Sequence, residues 1–221
     1  MPTGKRAGSE TGWPLPGCPG AYLLAITLAK PVALALGRHG FELPPGAYVY
    51  VGNARGPGGI RARVTRHLEA SGRVHWHIDW LLPHAPARLA VAVPSGDQCV
   101  LSNTLLRSGD FVVAARGFGS SDCRRCPSHL LRWQPSGCPR ALLAVLARLL
   151  GGRLRAVGRL GGRRLVIEQD ALGGTIEVVE LTAVQRPEES EQAEKAEGNG
   201  DRDQIDEDVH GNLSRAGPRR S

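Results

Sequence analysis

The chain has 221 residues, a formal net charge of +7 and five cysteines, which indicates one domain, or one domain with an appendage. An odd number of cysteines does not suit a disulfide framework, and no apolar run reaches the ~18 residues of a membrane span. The composition therefore excludes a disulfide scaffold and a membrane-spanning protein, and predicts a reduced, cytoplasmic protein without a membrane partner.

The charge is unevenly distributed along the chain. Residues 187–208 hold ten Asp or Glu and two Lys or Arg, a local charge of −8. Residues 1–186 hold 23 Lys or Arg and 11 Asp or Glu, a local charge of +12. A basic body favours a polyanionic partner, most simply DNA, although the excess of 25 Arg over 3 Lys also fits codon bias. We expect the acidic tail to compete with DNA for the basic body.

The N-terminal half of the chain predicts strands followed by a helix. Apolar or alternating runs of strand length occupy 21–28 and 47–52, with a candidate second strand between them at 31–38. After a glycine-rich loop, residues 60–70 predict a helix, because apolar residues recur every four positions on one face. A short buried element is expected at 75–82.

The C-terminal half predicts a mixture of helices and short strands. A strand is expected at 87–93, a helix at 99–109 that ends at a glycine, and two short strands within 111–133. Residues 139–152 have a helical apolar pattern, and two strand-like runs around ALGG predict a hairpin at 163–181.

Five short motifs resemble the GIY-YIG nuclease superfamily. They are GAY at 20–22, YVG at 50–52, RARVTRHL at 61–68, HWHIDWLL at 75–82 and GFGSSDCRRCPSHL at 117–130. The first two resemble the halves of the motif that names the superfamily, and the last two resemble signatures of its small Uri-type proteins. A lone YVG is weak evidence, but several motifs in the same order make the resemblance specific.

The resemblance implies an α+β fold with a small, twisted, mostly antiparallel three-stranded sheet, flanking helices and the tyrosine motifs on neighbouring strands. The two motifs are further apart here than in minimal family members, so an extra hairpin is expected at 30–46. The patterns above add a C-terminal helix and β-hairpin appendage. We therefore expect a disordered N-terminus at 1–17, a nuclease-like domain at 18–135, an appendage at 136–186 and a disordered acidic tail at 187–221. The implied function is an endonuclease that hydrolyses DNA phosphodiester bonds with one Mg²⁺ or Mn²⁺.

The resemblance also implies catalytic roles for four residues. Tyr50 is expected beside the attacking water as a general base or base relay, which needs a nearby cation because a free tyrosine has a pKa near ~10. Tyr22 is expected to orient the water or the phosphate. Arg63 suits the scissile phosphate because its guanidinium is a planar fork. His67, one helical turn later, is expected to share the proton transfer.

Further candidates are expected to bind the substrate. Gly52 has no Cβ, so the backbone at this position can approach the substrate closely. If the HWHID segment is extended, its alternate polar residues lie on one side. Ser120 belongs to a loop that frames the site. The full set of substrate-binding candidates is Gly52, Asn53, Arg61, His75, His77, Ser120 and His129.

The expected metal ligand is altered in this chain. The family holds its metal through one glutamate, expected just before a cysteine, but the chain reads Asp97-Gln98-Cys99. An amide oxygen holds a divalent cation less well than a carboxylate. Three alternatives stay open: Asp97 replaces the ligand, the alignment is off by one, or the site has lost its metal and the domain only binds nucleic acid.

The cysteines offer a different metal. Cys123, Cys126 and His129 have spacings that suit zinc, with Cys99 or Cys138 as a fourth ligand. The family segment has a shorter cysteine spacing, so we expect Mg²⁺ or Mn²⁺ and consider zinc unlikely. A zinc-stabilised interaction protein is the third possible function.

Overall fold

The described part of this computed structural model comprises residues 12–37, 39–70, 73–134, 139–170 and 177–180. These residues form four α-helices, α1 Gly59–Glu69, α2 His77–Leu81, α3 Gln98–Arg107 and α4 Pro139–Leu149. They also form ten strands, β1 Gly20–Leu28, β2 Val32–Leu36, β3 His39–Leu43, β4 Gly46–Ala54, β5 Arg88–Pro94, β6 Phe111–Val113, β7 Leu130–Trp133, β8 Arg153–Leu160, β9 Arg163–Asp170 and β10 Glu177–Glu180.

Eight of these strands form one antiparallel sheet in the order β10-β9-β8-β5-β1-β4-β7-β6, and β2 and β3 form a separate hairpin. The α+β class and the extra hairpin at 30–46 are confirmed. The sheet is larger than the expected three strands, because β8 pairs with β5 and carries β9 and β10 with it.

The register of β1 and β4 positions the two tyrosine motifs. The strands pair along their full length, with Tyr22 opposite Gly52 and Leu24 opposite Tyr50. Side chains alternate between the two faces of a sheet, so Tyr22 and Tyr50 point to the same face. Their ring centroids are 6.4 Å apart.

Both faces of the sheet are covered by apolar side chains. Helices α1 and α2, the β2–β3 hairpin, Trp13 and Leu15 pack on the face that carries the tyrosines. Helices α3 and α4 pack on the opposite face, against alternate residues such as Leu23 and Val51. Residues 12–17 differ from the unstructured segment expected there, because Trp13 and Leu15 are buried.

Several expectations fall on residues outside the described part of the chain. These are residues 1–11, the turn of the C-terminal hairpin at 171–176, Cys138 and the acidic tail at 187–221. The boundary expected between 135 and 136 stays a prediction, and β8–β10 beyond it continue the central sheet. None of the helices built by the described residues is long and apolar enough to cross a membrane.

Candidate functional site

A cavity of about 550 Å³ opens beside the two tyrosines. Strands β1 and β4, helix α1, Trp76, the N-terminus of α3 and the loop at 119–129 contribute its walls. Its charged lining residues are Arg55, Arg63, Arg124, Arg125, Asp97 and Asp122. Four arginines against two aspartates make the cavity basic, and an anion such as a phosphate suits it.

Tyr22, His67 and Asp79 form a row of contacts behind the cavity wall. The Tyr22 hydroxyl lies 2.8 Å from His67 Nε2. His67 Nδ1 lies 3.3 Å from Asp79 Oδ1, which is within ion-pair distance but lacks the alignment of a hydrogen bond. A carboxylate beside Nδ1 favours the tautomer with its proton there, which leaves Nε2 to accept the tyrosine hydroxyl. The row therefore has the order of a proton relay, with His67 and Asp79 in electrostatic contact.

The Asp79 carboxylate is held by further donors. Arg66 donates to both oxygens at 2.9 Å, and the backbone amides of His75 and Trp76 each donate to Oδ2 at 2.9 Å. Burial alone would raise the pKa of Asp79, but the contacts with His67, Arg66 and these amides outweigh it and hold the pKa well below its usual range. Asp79 is therefore a permanent anion behind His67.

Burial sets the protonation of the other members. It raises the pKa values of Tyr22 and Tyr50 far enough that both stay neutral phenols, although the Arg63 charge opposes it. Burial also lowers the pKa of His67 despite the Asp79 contact, so its imidazole is neutral at pH ~7. A neutral imidazole can accept a proton, and of the two tyrosines it is Tyr22 that contacts it.

Gly52 makes room for a neighbouring tyrosine. A Cβ at this position would lie 2.1 Å from Tyr22 Cζ, because the ring of Tyr22 lies over its register partner Gly52. Gly119 does the same for Tyr50, since its Cβ would lie 2.8 Å from Tyr50 Cε2. The expected contact of Gly52 with a substrate stays a prediction.

Arg63 presents its charge to the cavity from helix α1. Its guanidinium carbon lies 3.9 Å from the centroid of the Trp76 ring, and that of Arg66 lies 4.5 Å from it. Within the described residues, Arg63 has no carboxylate partner at ion-pair distance. Stacking on Trp76 orients the guanidinium and leaves its N–H groups for an anion. The HWHID motif contains this tryptophan, but the sequence alone did not predict that its ring packs against Arg63.

The two metal-ligand candidates at the start of α3 are engaged in other contacts. Asp97 is the N-cap, and its carboxylate accepts from the amides of Cys99 and Val100 at 2.8 and 3.0 Å and lies 3.2 Å from Arg125. Gln98 Oε1 accepts from Asn53 at 3.1 Å, and Nε2 donates to the Val51 carbonyl at 2.7 Å. Neither side chain is free to bind a divalent cation in this arrangement.

Comparison with known proteins gives one match. The model of a family described as a domain of unknown function, DUF123, matches residues 21–150. The chain belongs to this family. No curated protein and no solved structure matches the chain. Every residue that lines the cavity falls within the range that matches DUF123.

The other predicted substrate-binding residues of this DUF123 domain are dispersed. Asn53 and His129 line the cavity. Arg61 instead donates to the Leu15 carbonyl at 2.7 Å, which fastens the N-terminal segment to α1. His75 packs against Trp76, and His77 Nδ1 accepts the Gly119 amide at 2.8 Å; α2 is helical rather than extended, so the two histidines diverge. Ser120 is buried beneath the loop.

A group of metal-ligand residues lies next to the cavity in this DUF123 domain. One potential ligand atom from each of Cys99, Cys123, Cys126 and His129 lies within 4.8 Å of all the others, so the group could hold a metal ion. Burial has the largest effect on the Cys126 thiol, followed by the neighbouring thiols of Cys99 and Cys123, and together they raise its pKa to about 12. Zinc, considered unlikely from the cysteine spacing, suits this set better than Mg²⁺ or Mn²⁺ does.

Proposed function

We propose that this DUF123 domain is an endonuclease-like domain of the GIY-YIG type that hydrolyses phosphodiester bonds in DNA. The Tyr22–His67–Asp79 row beside a basic cavity carries the proposal. A buried carboxylate and a buried imidazole are costly to desolvate. A purely structural role does not require that the row end on a hydroxyl at the cavity wall.

In this proposal each residue has a chemical task. Arg63, oriented by Trp76, binds the non-bridging oxygens of a backbone phosphate and stabilises the charge that grows on them during attack. Tyr22 orients the attacking water: as the water oxygen bonds to phosphorus, its proton passes to the Tyr22 oxygen while the Tyr22 hydroxyl proton passes to His67 Nε2. The P–O bond to the leaving oxygen breaks, and that oxygen takes a proton from solvent water. Asp79 stabilises the imidazolium that results. Tyr50, a buried neutral phenol, orients the substrate as a hydrogen-bond donor rather than acting as the base.

The divalent cation implied by the GIY-YIG resemblance does not fit the start of α3. The Asp97 carboxylate is occupied by two amides and by arginines, and the Gln98 amide oxygen by Asn53. Asp122 is the other carboxylate that lines the cavity among the described residues. The steps above therefore rest on the protein's own side chains, and Mg²⁺ and Mn²⁺ are variables of the test.

The contacts of Gln98 favour a second function, that of a DNA-binding module without hydrolysis. With Gln98 bonded to Asn53 and Val51, the domain has the phosphate-binding cavity without the usual metal carboxylate. A DNA-binding module that has lost hydrolysis would have this arrangement. Both functions predict salt-dependent binding of DNA, and they differ in whether strands are cut.

Nicking of supercoiled plasmid with Mg²⁺, Mn²⁺ or EDTA tests the proposal. We expect wild type to nick DNA, and Tyr22→Phe and Arg63→Ala to be slower by roughly 10²-fold or more. Tyr48→Phe, a buried tyrosine of β4 outside the cavity, and Arg107→Ala, an exposed arginine of α3, are matched controls that retain activity.

The same proteins distinguish the second function. If none of them nicks DNA, and if Arg63→Ala still weakens binding and lowers the salt slope by about one, the domain is a binder. Gln98→Glu is then the decisive variant, because a carboxylate returned to this place should create metal-dependent nicking. DNA binding that is equally weak in wild type and Arg63→Ala would refute both functions.

A further inference from the structure

The thiols and the imidazole beside the cavity are brought together by tertiary structure. Cys99 is the second residue of helix α3, whereas Cys123, Cys126 and His129 belong to the loop that leads into β7. The Cys99 and Cys123 sulfurs are 3.5 Å apart. Two Zn–S bonds of ~2.3 Å at a tetrahedral angle place sulfurs roughly 3.8 Å apart. The separation found is therefore close to that of two thiolates sharing one zinc ion.

His129 supplies a second, independent observation. Its Nδ1 lies 2.6 Å from the Gly119 carbonyl and 2.9 Å from Gln98 Nε2, and the shorter contact, to an oxygen that only accepts, favours the tautomer with the proton on Nδ1. Nε2 is then a lone-pair acceptor. The residue is 2% exposed, and Nε2 is buried without a hydrogen-bond partner among the described residues. A buried acceptor left without a partner costs about 1–3 kcal/mol, and a metal ion would satisfy it.

We propose that Cys99, Cys123, Cys126 and His129 form a tetrahedral, structural zinc site. Three thiolates and one imidazole are a soft ligand set that selects Zn²⁺ over Mg²⁺ or Mn²⁺. A ring N–H donated to a backbone carbonyl is the usual outer contact of a zinc-bound histidine, and Gly119 provides it. Four protein ligands leave no position for water, so the zinc has no part in hydrolysis.

The zinc would join two parts of the cavity wall that no strand pairing connects. Cys99 follows the capping residue Asp97 and the cavity residue Gln98, and Cys123 lies between Asp122 and Arg124. One metal ion thereby fixes the start of α3 against the loop that carries Arg124 and Arg125. The site does not depend on whether the cavity binds or cleaves DNA.

Metal analysis of the full chain tests the site. After expression with added zinc and extensive dialysis, we expect one zinc per chain. Cobalt replacement should give a tetrahedral visible spectrum with a thiolate-to-cobalt charge-transfer band. Cys18→Ser, which removes an exposed thiol outside the group, should keep both signals, whereas Cys126→Ser should lose the stoichiometric zinc.

A second variant keeps the test valid if Cys126→Ser does not fold. His129→Cys retains four ligands, so it should still bind one metal, with a stronger charge-transfer band from the added sulfur. Substoichiometric zinc in wild type, or an octahedral cobalt spectrum without charge transfer, would overturn the proposal. A Cys99–Cys123 disulfide in protein expressed with added zinc and purified with its metal would overturn it too, because the short sulfur separation would then mark a redox pair.

Discussion

Gly52→Ala tests the packing that aligns the proton relay. The added Cβ would lie 2.1 Å from Tyr22 Cζ and 2.2 Å from its hydroxyl oxygen. Carbon atoms in contact rest ~3.5–4.0 Å apart, so ring or strand must move by about 1.4 Å. Tyr22 is 1% exposed and has no solvent to move into. The hydroxyl must therefore leave its position 2.8 Å from His67 Nε2.

The energetic cost follows from the burial of the ring. Inserting a methyl group into a packed core costs about 1–3 kcal/mol. Each kcal/mol lowers the melting temperature of a domain of this size by roughly 2–4 °C. We therefore expect Gly52→Ala to melt about 2–12 °C below wild type in circular dichroism, and to lose nicking activity as Tyr22→Phe does.

Two comparisons isolate the cause. Gly40→Ala, on strand β3, adds a Cβ with nothing within 4 Å and should melt close to wild type. In a Tyr22→Ala background the ring is absent, so the cost of Gly52→Ala should fall below about 0.5 kcal/mol. A cost that persists in that background, or a Gly52→Ala protein as stable as wild type, would refute the proposed clash with Tyr22.

Three further predictions follow from the charges. Asp79→Asn should cost about 3 kcal/mol in urea unfolding at neutral pH, since it leaves Arg66 without its partner. The pKa of Asp79 in the folded protein lies below the unfolded value of ~3.9. The difference in unfolding free energy between wild type and Asp79→Asn should therefore persist above pH ~3.9 and shrink as the pH falls below this value through the folded pKa. A constant difference down to pH ~2 would contradict this. His67 accepts a proton in its neutral form and its pKa is lowered, so the nicking rate should fall on the acid side only below pH ~6.5, and at a still lower pH in Asp79→Asn. A rate that falls already above pH ~6.5 would exclude His67 as the base. Removing residues 187–221 should tighten DNA binding at low salt and change little at high salt; equal affinity at low salt would exclude competition by the tail.

Sequence periodicity predicted most of the secondary structure because the elements are strongly patterned. The helix expected at 60–70 is α1, Gly59–Glu69, and the strand expected at 21–28 is β1. Strand β8 was not predicted, because arginines and a glycine interrupt its alternation of buried and exposed residues. The HWHID segment was expected to belong to a short buried element, with its polar residues on one side if it were extended; helix α2 instead begins within it, at His77. Its alternating pattern is too short to distinguish the two.

The candidate site was predicted only as far as local motifs reach. Tyr22, Tyr50 and Arg63 line one cavity, and His67 contacts Tyr22 behind it. The carboxylate that completes the row, Asp79, is twelve positions further along the chain from His67, on another element. The contact between His67 and Asp79 depends on how α1 and α2 pack against each other. The cysteine group depended likewise on where α3 starts, which sequence spacing does not encode.

The two walls of the cavity are held by different kinds of structure. Tyr22 and Tyr50 lie on paired central strands, where nine residue pairs fix their register. The opposite wall, the loop at 119–129, has no strand of its own and is held by scattered contacts, among them His77 with the Gly119 amide, Asp97 with Arg125, and the Val51 amide with the His129 carbonyl. A change in these contacts, or in the proposed zinc, should therefore alter DNA binding before it unfolds the sheet. The Tyr22–His67–Asp79 row is fixed by the core of the fold, whereas the charge around the cavity depends on a loop that the proposed zinc would stabilise.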